Sequence, residues 1–288
     1  MERFDLVVIG DGAAGDCAVR PAGECLNYGC VPSKTLYQSA EVYHQMRRAG
    51  EFGVRASGVE LDFPGVIARA QYVIETIRGD NPWGGVRADG ITAFRSTATF
   101  LGPKQLQADG ETVEADQIII STGTKAGIPP VPGLAEAALL TNESIFKLGL
   151  LPGRLAVIGA GPIGAEMAQI FQRFGSQVML LEMLPQVVPT EDEEISNALE
   201  RILLGEGVHV YTAVRINEVR RNEDGSRTLQ VTYGGHDLPI TVDEVLVAAG
   251  RRPPISTSTP PAWRRHVAGS RWMSTSARRS RTSGRRGM

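Results

Sequence analysis

Apolar residues follow two spacings along the chain, and the switch between them predicts its elements. Asp5-Leu6-Val7-Val8-Ile9 is an apolar run suited to a buried parallel strand, and it leads into a glycine-rich turn, Gly10-Asp11-Gly12-Ala13-Ala14-Gly15. The same order recurs later, with a strand expected over Arg154-Leu155-Ala156-Val157-Ile158 and a turn over Gly159-Ala160-Gly161-Pro162-Ile163-Gly164. Ile163, Met167, Ile170, Phe171 and Phe174 then fall at helical spacing as far as Gly175, which can cap the helix C-terminus. Gln177 to Leu181 predicts the next strand, which ends at Glu182. Between the two turns, Tyr37 to Arg48 and Val66 to Ile77 carry helical patterning. Thr92 to Ile120 predicts short strands with turns at Gly102-Pro103 and Asp109-Gly110, an antiparallel meander. Beyond them, Thr190 and Glu193 predict a capping box for a helix running through Leu204. Glu244 to Ala248 predicts the last clear strand, ending at Ala249-Gly250-Arg251-Arg252-Pro253.

Each glycine-rich turn is a GxGxxG in strand-to-helix context, where the glycines allow a tight turn, close approach of a pyrophosphate and close helix–strand packing. The fold class expected is therefore α/β, with two Rossmann-like domains and a small antiparallel meander. The second unit is complete. Its Glu182 lies eighteen residues after Gly164, where a carboxylate can accept both ribose hydroxyls and repel a 2′-phosphate. No arginine follows nearby, so Gly159, Gly161, Gly164 and Glu182 read as an NAD site, the alternative being a turn used only for packing. The first unit is shortened. Only Asp16 to Glu24 separate Gly15 from Cys25, too few for a helix, a strand and an acidic residue, and Pro21 would stop a helix begun at Gly15. Asp16 and Glu24 are the carboxylates left for a ribose contact.

The candidate chemistry sits in Glu24-Cys25-Leu26-Asn27-Tyr28-Gly29-Cys30-Val31-Pro32-Ser33-Lys34. Two thiols five positions apart can meet if the chain bends, and Gly29 supplies a freely bending position. A helix from Pro32 through Met46 would set its positive end and the Lys34 cation near Cys30, an arrangement that favours the reactive thiolate. The pair reads as a redox-active disulfide. Unpaired core cysteines or half of a zinc site are the alternatives, although no His or further Cys stands at zinc spacing.

This segment resembles the active-site signature of the flavin-dependent pyridine nucleotide-disulfide oxidoreductases, whose members include dihydrolipoyl dehydrogenase and mercuric reductase. The resemblance covers residues 1 to about 254. It implies that Cys25 exchanges with substrate, that Cys30 faces the flavin, and that Lys34 lies beside it. It also implies that Gly10, Gly12 and Gly15 form an FAD-binding turn and that Thr122-Gly123 is the flavin-contact turn ahead of the Pro-rich linker Ile128–Gly133. Glu166 would pair with Lys34, and Gly250 and Arg251 would lie near both nucleotides. The cofactors implied are FAD and NAD. The implied reaction is hydride transfer through FAD to the disulfide, followed by exchange with a small dithiol or metal-ion substrate. A non-catalytic chain that only binds NAD is the alternative of another class. The domains expected are an incomplete FAD-binding domain over 1–140 and an NAD-binding domain over 141–254.

Composition changes the picture at the C-terminal end. Residues 255–288 hold eight arginines, eleven Ser/Thr and no Lys, Asp or Glu, which predicts a disordered tail. Removing its charge from the chain's −2 leaves the first 254 residues at −10. Read two nucleotides out of frame with G/C-rich codons, the tail can encode an acidic, alternating sequence of the kind expected after Pro253. It is therefore expected to be a frameshift rather than a nucleic-acid arm. The family's interface domain and its His/Glu acid–base pair are expected to be missing, and with them the homodimer contacts. His44, His209, His236 and His266 sit in no matching motif. The opening Met1-Glu2-Arg3 and the lack of a long apolar stretch predict neither signal peptide nor membrane span, hence a cytoplasmic protein. Three cysteines are too few for a secreted disulfide scaffold.

Overall fold

The computed structural model describes residues 2–10, 23–80, 91–94 and 96–252. These fall into two compact units, residues 2–5 with 96–116 and residues 6–94 with 117–252. The shortened crossover over 11–22 and the tail from Pro253 lie outside the described residues.

The first unit holds the expected meander. Strands β1 (Glu2–Ile9), β2 (Thr99–Gly102), β3 (Gln105–Ala108) and β4 (Glu111–Ile120) form one sheet in the order β1-β4-β3-β2, and β1 and β4 run on in sequence into the second unit. The strand pattern expected from Thr92 begins at Thr99. Asp109 and Gly110 join β3 to β4, and both have positive φ, the two-residue turn whose twist matches an antiparallel ladder. Leu106, Ala108, Val113 and Ala115 are its buried positions.

The second unit is layered around a parallel sheet. Strands β6 (Arg154–Ile158), β7 (Gln177–Leu181), β8 (His209–Tyr211) and β12 (Glu244–Val247) lie in the order β12-β6-β7-β8. Their residues alternate between two cores. Leu155 and Val157 of β6, Val178 and Leu180 of β7 and Leu246 of β12 join one cluster. Ala156, Ile158, Met179, Leu181, Val245 and Val247 join the other. A strand turns successive side chains to opposite faces, so a continuous apolar run is what a sheet covered on both sides requires.

Helices cover the first face: α2 (Cys30–Arg47), α3 (Phe63–Arg78), α4 (Pro162–Phe174) and α5 (Glu193–Gly205), preceded by a single turn, α1 (Glu24–Asn27). Phe63, Phe171 and Phe174 stack edge to face or tilted at 5.9–6.3 Å between ring centres, tying the start of α3 to α4. Asp62 caps α3 by accepting the Gly65 N–H at 3.0 Å. The second face carries an antiparallel sheet of β9 (Arg215–Arg221), β10 (Arg227–Tyr233) and β11 (His236–Val242), ordered β11-β10-β9. Val219, Leu229, Val231, Ile240 and Val242 fill its core side. Two residues each of β5 (Lys125–Ala126) and β13 (Arg251–Arg252) pair antiparallel.

Two expectations are corrected here. The helix expected from Pro32 starts at Cys30, because Gly29 takes the N-cap position and its carbonyl accepts the Ser33 N–H. The capping box of Thr190 and Glu193 does not form. Asp192 occupies the N-cap, which moves Glu193 to the first helical position, where a carboxylate meets the positive end of the helix instead of reaching back to a cap. Among the described residues no helix is long and apolar enough to cross a membrane.

Candidate nucleotide and thiol site

The glycine turn after β6 is shaped by contacts that leave no room at two of its positions. Gly159 has φ +99°, and a Cβ there would lie 2.6 Å from the Ala248 carbonyl oxygen. A Cβ on Gly164 would lie 1.8 Å from the Gly159 carbonyl oxygen, so α4 packs on the turn only without a side chain. Gly161 differs: nothing stands within 4 Å of a Cβ placed there. It is the N-cap of α4, at the positive end of a thirteen-residue helix. Open space beside that end is where a pyrophosphate can approach the backbone, so the turn fits a dinucleotide.

Glu182 closes the turn from the end of β7. It is buried, and its Oε2 accepts the Ala160 N–H at 2.7 Å while Oε1 accepts the Leu184 N–H at 2.9 Å. Two ionised oxygens offer about four lone-pair sites, so this carboxylate retains capacity for ribose hydroxyls. Val188, at φ +39°, donates its N–H to the Ala160 carbonyl at 2.8 Å. Both polar atoms of Ala160 are thus held from outside the turn. Glu182 was legible from its spacing, whereas nothing in the Leu-Pro-Gln-Val-Val-Pro stretch marks Val188 as its counterpart.

The thiol segment is built from two helices. Cys25 is half-buried on α1, and Cys30 is a free, exposed thiol at the first position of α2. One turn on, Lys34 reaches across to α4 and donates to Glu166 Oε1 at 2.5 Å, as the resemblance implied. Two turns further along both helices a second ion pair crosses with reversed sign: the Arg173 guanidinium on α4 donates to Glu41 on α2. Arg173 also forks onto Glu206 at 2.7 Å through Nε and Nη2, and it lies over the Tyr37 ring at 5.7 Å. Its bonding to Glu206 pushes its pKa above the already high guanidinium value, and the same contact holds the Glu206 carboxyl below its usual range against the opposing effect of burial. α2 and α4 are therefore pinned at two levels, with Lys34 and Glu166 at the end nearer the thiols.

The first glycine turn repeats the logic of the second where it is described. Gly10 has φ +105°, and a Cβ there would meet the Ser121 carbonyl oxygen at 2.3 Å and the Thr122 nitrogen at 2.9 Å. Ser121 donates its N–H to Ile9 at 2.8 Å. The strand ends leading to Gly10 and to Thr122-Gly123 thus meet, as those leading to Gly159 and to Ala249-Gly250 do. Gly123 has φ +68°, and a Cβ there would meet nothing within 4 Å. Gly12, Gly15 and Asp16 lie outside the described residues. The other carboxylate offered for a ribose, Glu24, is already engaged: Oε1 forms an ion pair with Arg251 Nη2 at 2.7 Å and accepts from Asn142 Nδ2 at 3.1 Å.

Arg251 also donates to Thr124 twice, at 2.6 Å each, and Gly127 donates to the Gly250 carbonyl at 2.9 Å. The segment expected as the flavin-contact turn and the one expected near both nucleotides are thereby joined. His209 and His236 are exposed, and His44 meets Arg48 on the surface of α2. His266 lies outside the described residues. Among the described residues no group of three or more His, Cys, Asp or Glu is placed to hold a metal.

Comparison with known proteins places this geometry. The family model described as pyridine nucleotide-disulphide oxidoreductase matches residues 4–265. A dihydrolipoyl dehydrogenase of Thermus scotoductus is 34% identical over 278 residues, covering 88% of this chain and 58% of the relative. A mercuric reductase of Staphylococcus aureus is 30% identical over 270 residues, covering 88% of this chain and 49% of the relative. Among solved structures, the HOCl-induced flavoprotein disulfide reductase RclA of Escherichia coli superposes with a TM-score of 0.72 at 27% identity, over 90% of this chain and 59% of its own. The chain thus spans about half to three fifths of the length of these proteins.

Proposed function

The chain belongs to the pyridine nucleotide-disulphide oxidoreductase family, and we propose that it moves a hydride between NAD(H) and FAD and exchanges the electrons with the Cys25–Cys30 pair. The observation that carries this reading is the Lys34–Glu166 pair, which ties the thiol helix to the nucleotide helix at 2.5 Å. A salt bridge between those two helices supports a relay in which the redox segment and the nicotinamide side share one frame. The domains proposed are an FAD-binding part over 1–140 and an NAD-binding part over 141–254.

FAD, when bound, supplies the two-electron step between nicotinamide and disulfide. The chain's own residues do the rest. The N-terminus of α4 and the open side of Gly161 receive the pyrophosphate, and Glu182 accepts ribose hydroxyls. Lys34, held by Glu166, keeps a cation beside the relay. In the dehydrogenase direction, a substrate thiolate attacks Cys25 Sγ, the S–S bond breaks and Cys30 leaves as the thiolate. The second substrate thiolate then displaces Cys25 from the mixed disulfide. The substrate becomes a disulfide, and two electrons stand on the protein for transfer to NAD⁺.

The 34% identity to a dihydrolipoyl dehydrogenase favours a small dithiol substrate. The 30% identity to a mercuric reductase supports a second reading, in which the reduced pair delivers electrons to a thiol-binding metal ion. An absorption spectrum of the purified chain tests the reading. A yellow protein that bleaches with NADH and then gains a long-wavelength band supports it, and a colourless protein that FAD cannot reconstitute overturns it.

A further inference from the structure

We infer that Arg251 and Glu24 form a clamp that sets the position of the exchange thiol, so that the segment closing the nucleotide sheet governs the reactivity of Cys25. Cys25 lies on α1, a helix of four residues with no fully buried position. So short a helix has little stability of its own, because nucleation fixes several dihedrals for one hydrogen bond. It is held from outside.

Glu24, the residue before Cys25, forms an ion pair with Arg251 at 2.7 Å and accepts from Asn142 at 3.1 Å through the same oxygen. Asn142 is buried, and its Nδ2 also reaches the Tyr28 carbonyl at 3.3 Å, so one amide spans the helix from its first residue to its C-cap. Arg78 holds the Asn27 side chain. Arg251 differs from these supports in its reach. Its Nε and Nη2 donate to the side chain and carbonyl of Thr124 while Nη2 also meets Glu24. A planar guanidinium donating in a fork fixes orientation as well as distance, which an ammonium cannot do. Thr124 follows the open Gly123 turn, and Arg251 follows Gly250 at the end of the β12 segment. One side chain therefore couples three places: the start of the Cys25 helix, the Thr122-Gly123 turn and the end of the nucleotide sheet. Arg251 acts on the thiol through Glu24, as a positioning residue, and Glu24 serves it rather than a ribose. This role rests on the reading of Cys25 as the exchange thiol.

The test measures the thiols themselves and needs neither bound flavin nor turnover. The full chain and its Glu24→Gln, Arg251→Met and Arg251→Lys variants are treated with iodoacetamide under reducing conditions, and alkylation of Cys25 and Cys30 is followed peptide by peptide. Releasing the clamp lets α1 open, so the rate at Cys25 rises roughly five- to tenfold in Glu24→Gln and Arg251→Met, with Cys30 within about twofold of the parent. Arg251→Lys, which keeps the charge without the fork, falls between. The double variant Glu24→Gln/Arg251→Met is no faster than either single one, because both remove the same contact. An unchanged Cys25 rate in Glu24→Gln overturns the inference, as does a parallel rise at Cys30 or full additivity in the double variant. Glu24→Gln, which alters one atom on the surface of α1, keeps the test decisive if Arg251→Met does not fold. Failure of the spectral test of the hydride relay leaves these rates unaffected.

Discussion

Two alanine substitutions in one turn separate what holds the nucleotide from what holds the fold. Gly164→Ala places a Cβ 1.8 Å from the Gly159 carbonyl oxygen, a backbone atom that can move only if the turn moves. Overpacking of this kind costs about 1–3 kcal/mol or more, and the helix preference of alanine over glycine returns about 1 kcal/mol. Because the clash is with a backbone atom the cost sits at the upper end, about 3 kcal/mol, and the net loss of about 2 kcal/mol lowers Tm by roughly 4–8 °C for a chain of this size. Gly161→Ala has no such cost. Its φ is −67°, and a Cβ there meets nothing within 4 Å. Its Tm should stay within about 2 °C of the parent, with a small gain from the stiffer unfolded chain. The space it fills is the space beside the positive end of α4, and NADH affinity should fall at least about tenfold, about 1.4 kcal/mol. The assay is NADH fluorescence titration beside thermal unfolding of the same samples. Native NADH affinity in a folded Gly161→Ala protein would refute the placement of the pyrophosphate, and an unshifted Tm in Gly164→Ala would refute the packing argument.

Three further outcomes follow from the ion pairs. Arg173→Met leaves Glu206 and Glu41 facing each other without their cation, and because the guanidinium is 10% exposed the loss should be about 2–4 kcal/mol, read as a lowered denaturant midpoint. Asp243 accepts from the Arg154 side chain at 2.6 Å and its backbone N–H at 2.7 Å, and that bonding holds its carboxyl below the usual range. A depressed carboxyl stabilises the fold above its unfolded pKa of about 3.9 and loses the contribution as pH falls through the folded value. The Tm difference between the parent and Asp243→Asn should therefore vanish in acid and open toward neutrality; a constant difference from acid to neutral pH would contradict the linkage. Lys34→Met should slow hydride transfer while NADH affinity changes less than about twofold, because Lys34 bonds Glu166, two residues beyond the glycine turn, and not the turn itself; stopped-flow reduction against equilibrium titration separates the two.

What was legible in the sequence was local. The strands Arg154–Ile158 and Gln177–Leu181 could be read to the residue, because both faces of the sheet are buried, and the glycine turn between them because Gly159 and Gly164 stand where the backbone crowds. Lys34 and Glu166 could be matched through a motif, though 132 residues separate them. The antiparallel sheet β9–β11 went unread between Arg215 and Val242. Its β10 alternates cleanly, Leu229 and Val231 buried between the half-buried Thr228, Gln230 and Thr232, and its hairpin rests on Gly234-Gly235, both at positive φ, so a strand and hairpin signal was present there. The helix start at Cys30 was missed because Gly29 acts as an N-cap with no side chain to announce it. The ties made by Arg173, Asn142 and Arg251 have no local signature at all. Each joins segments distant in sequence through one polar side chain, and only folding brings the partners together.

The central claim is that electrons from nicotinamide reach Cys25 and Cys30, and counting thiols tests it most directly. The FAD-reconstituted chain, oxidised so that the pair is closed, is mixed anaerobically with NADH and alkylated, and each cysteine is quantified by mass. The account predicts that Cys25 and Cys30 become alkylated together and only with NADH, with one NADH consumed per pair. A pair that stays closed while NADH is bound, or that opens equally without NADH, contradicts it.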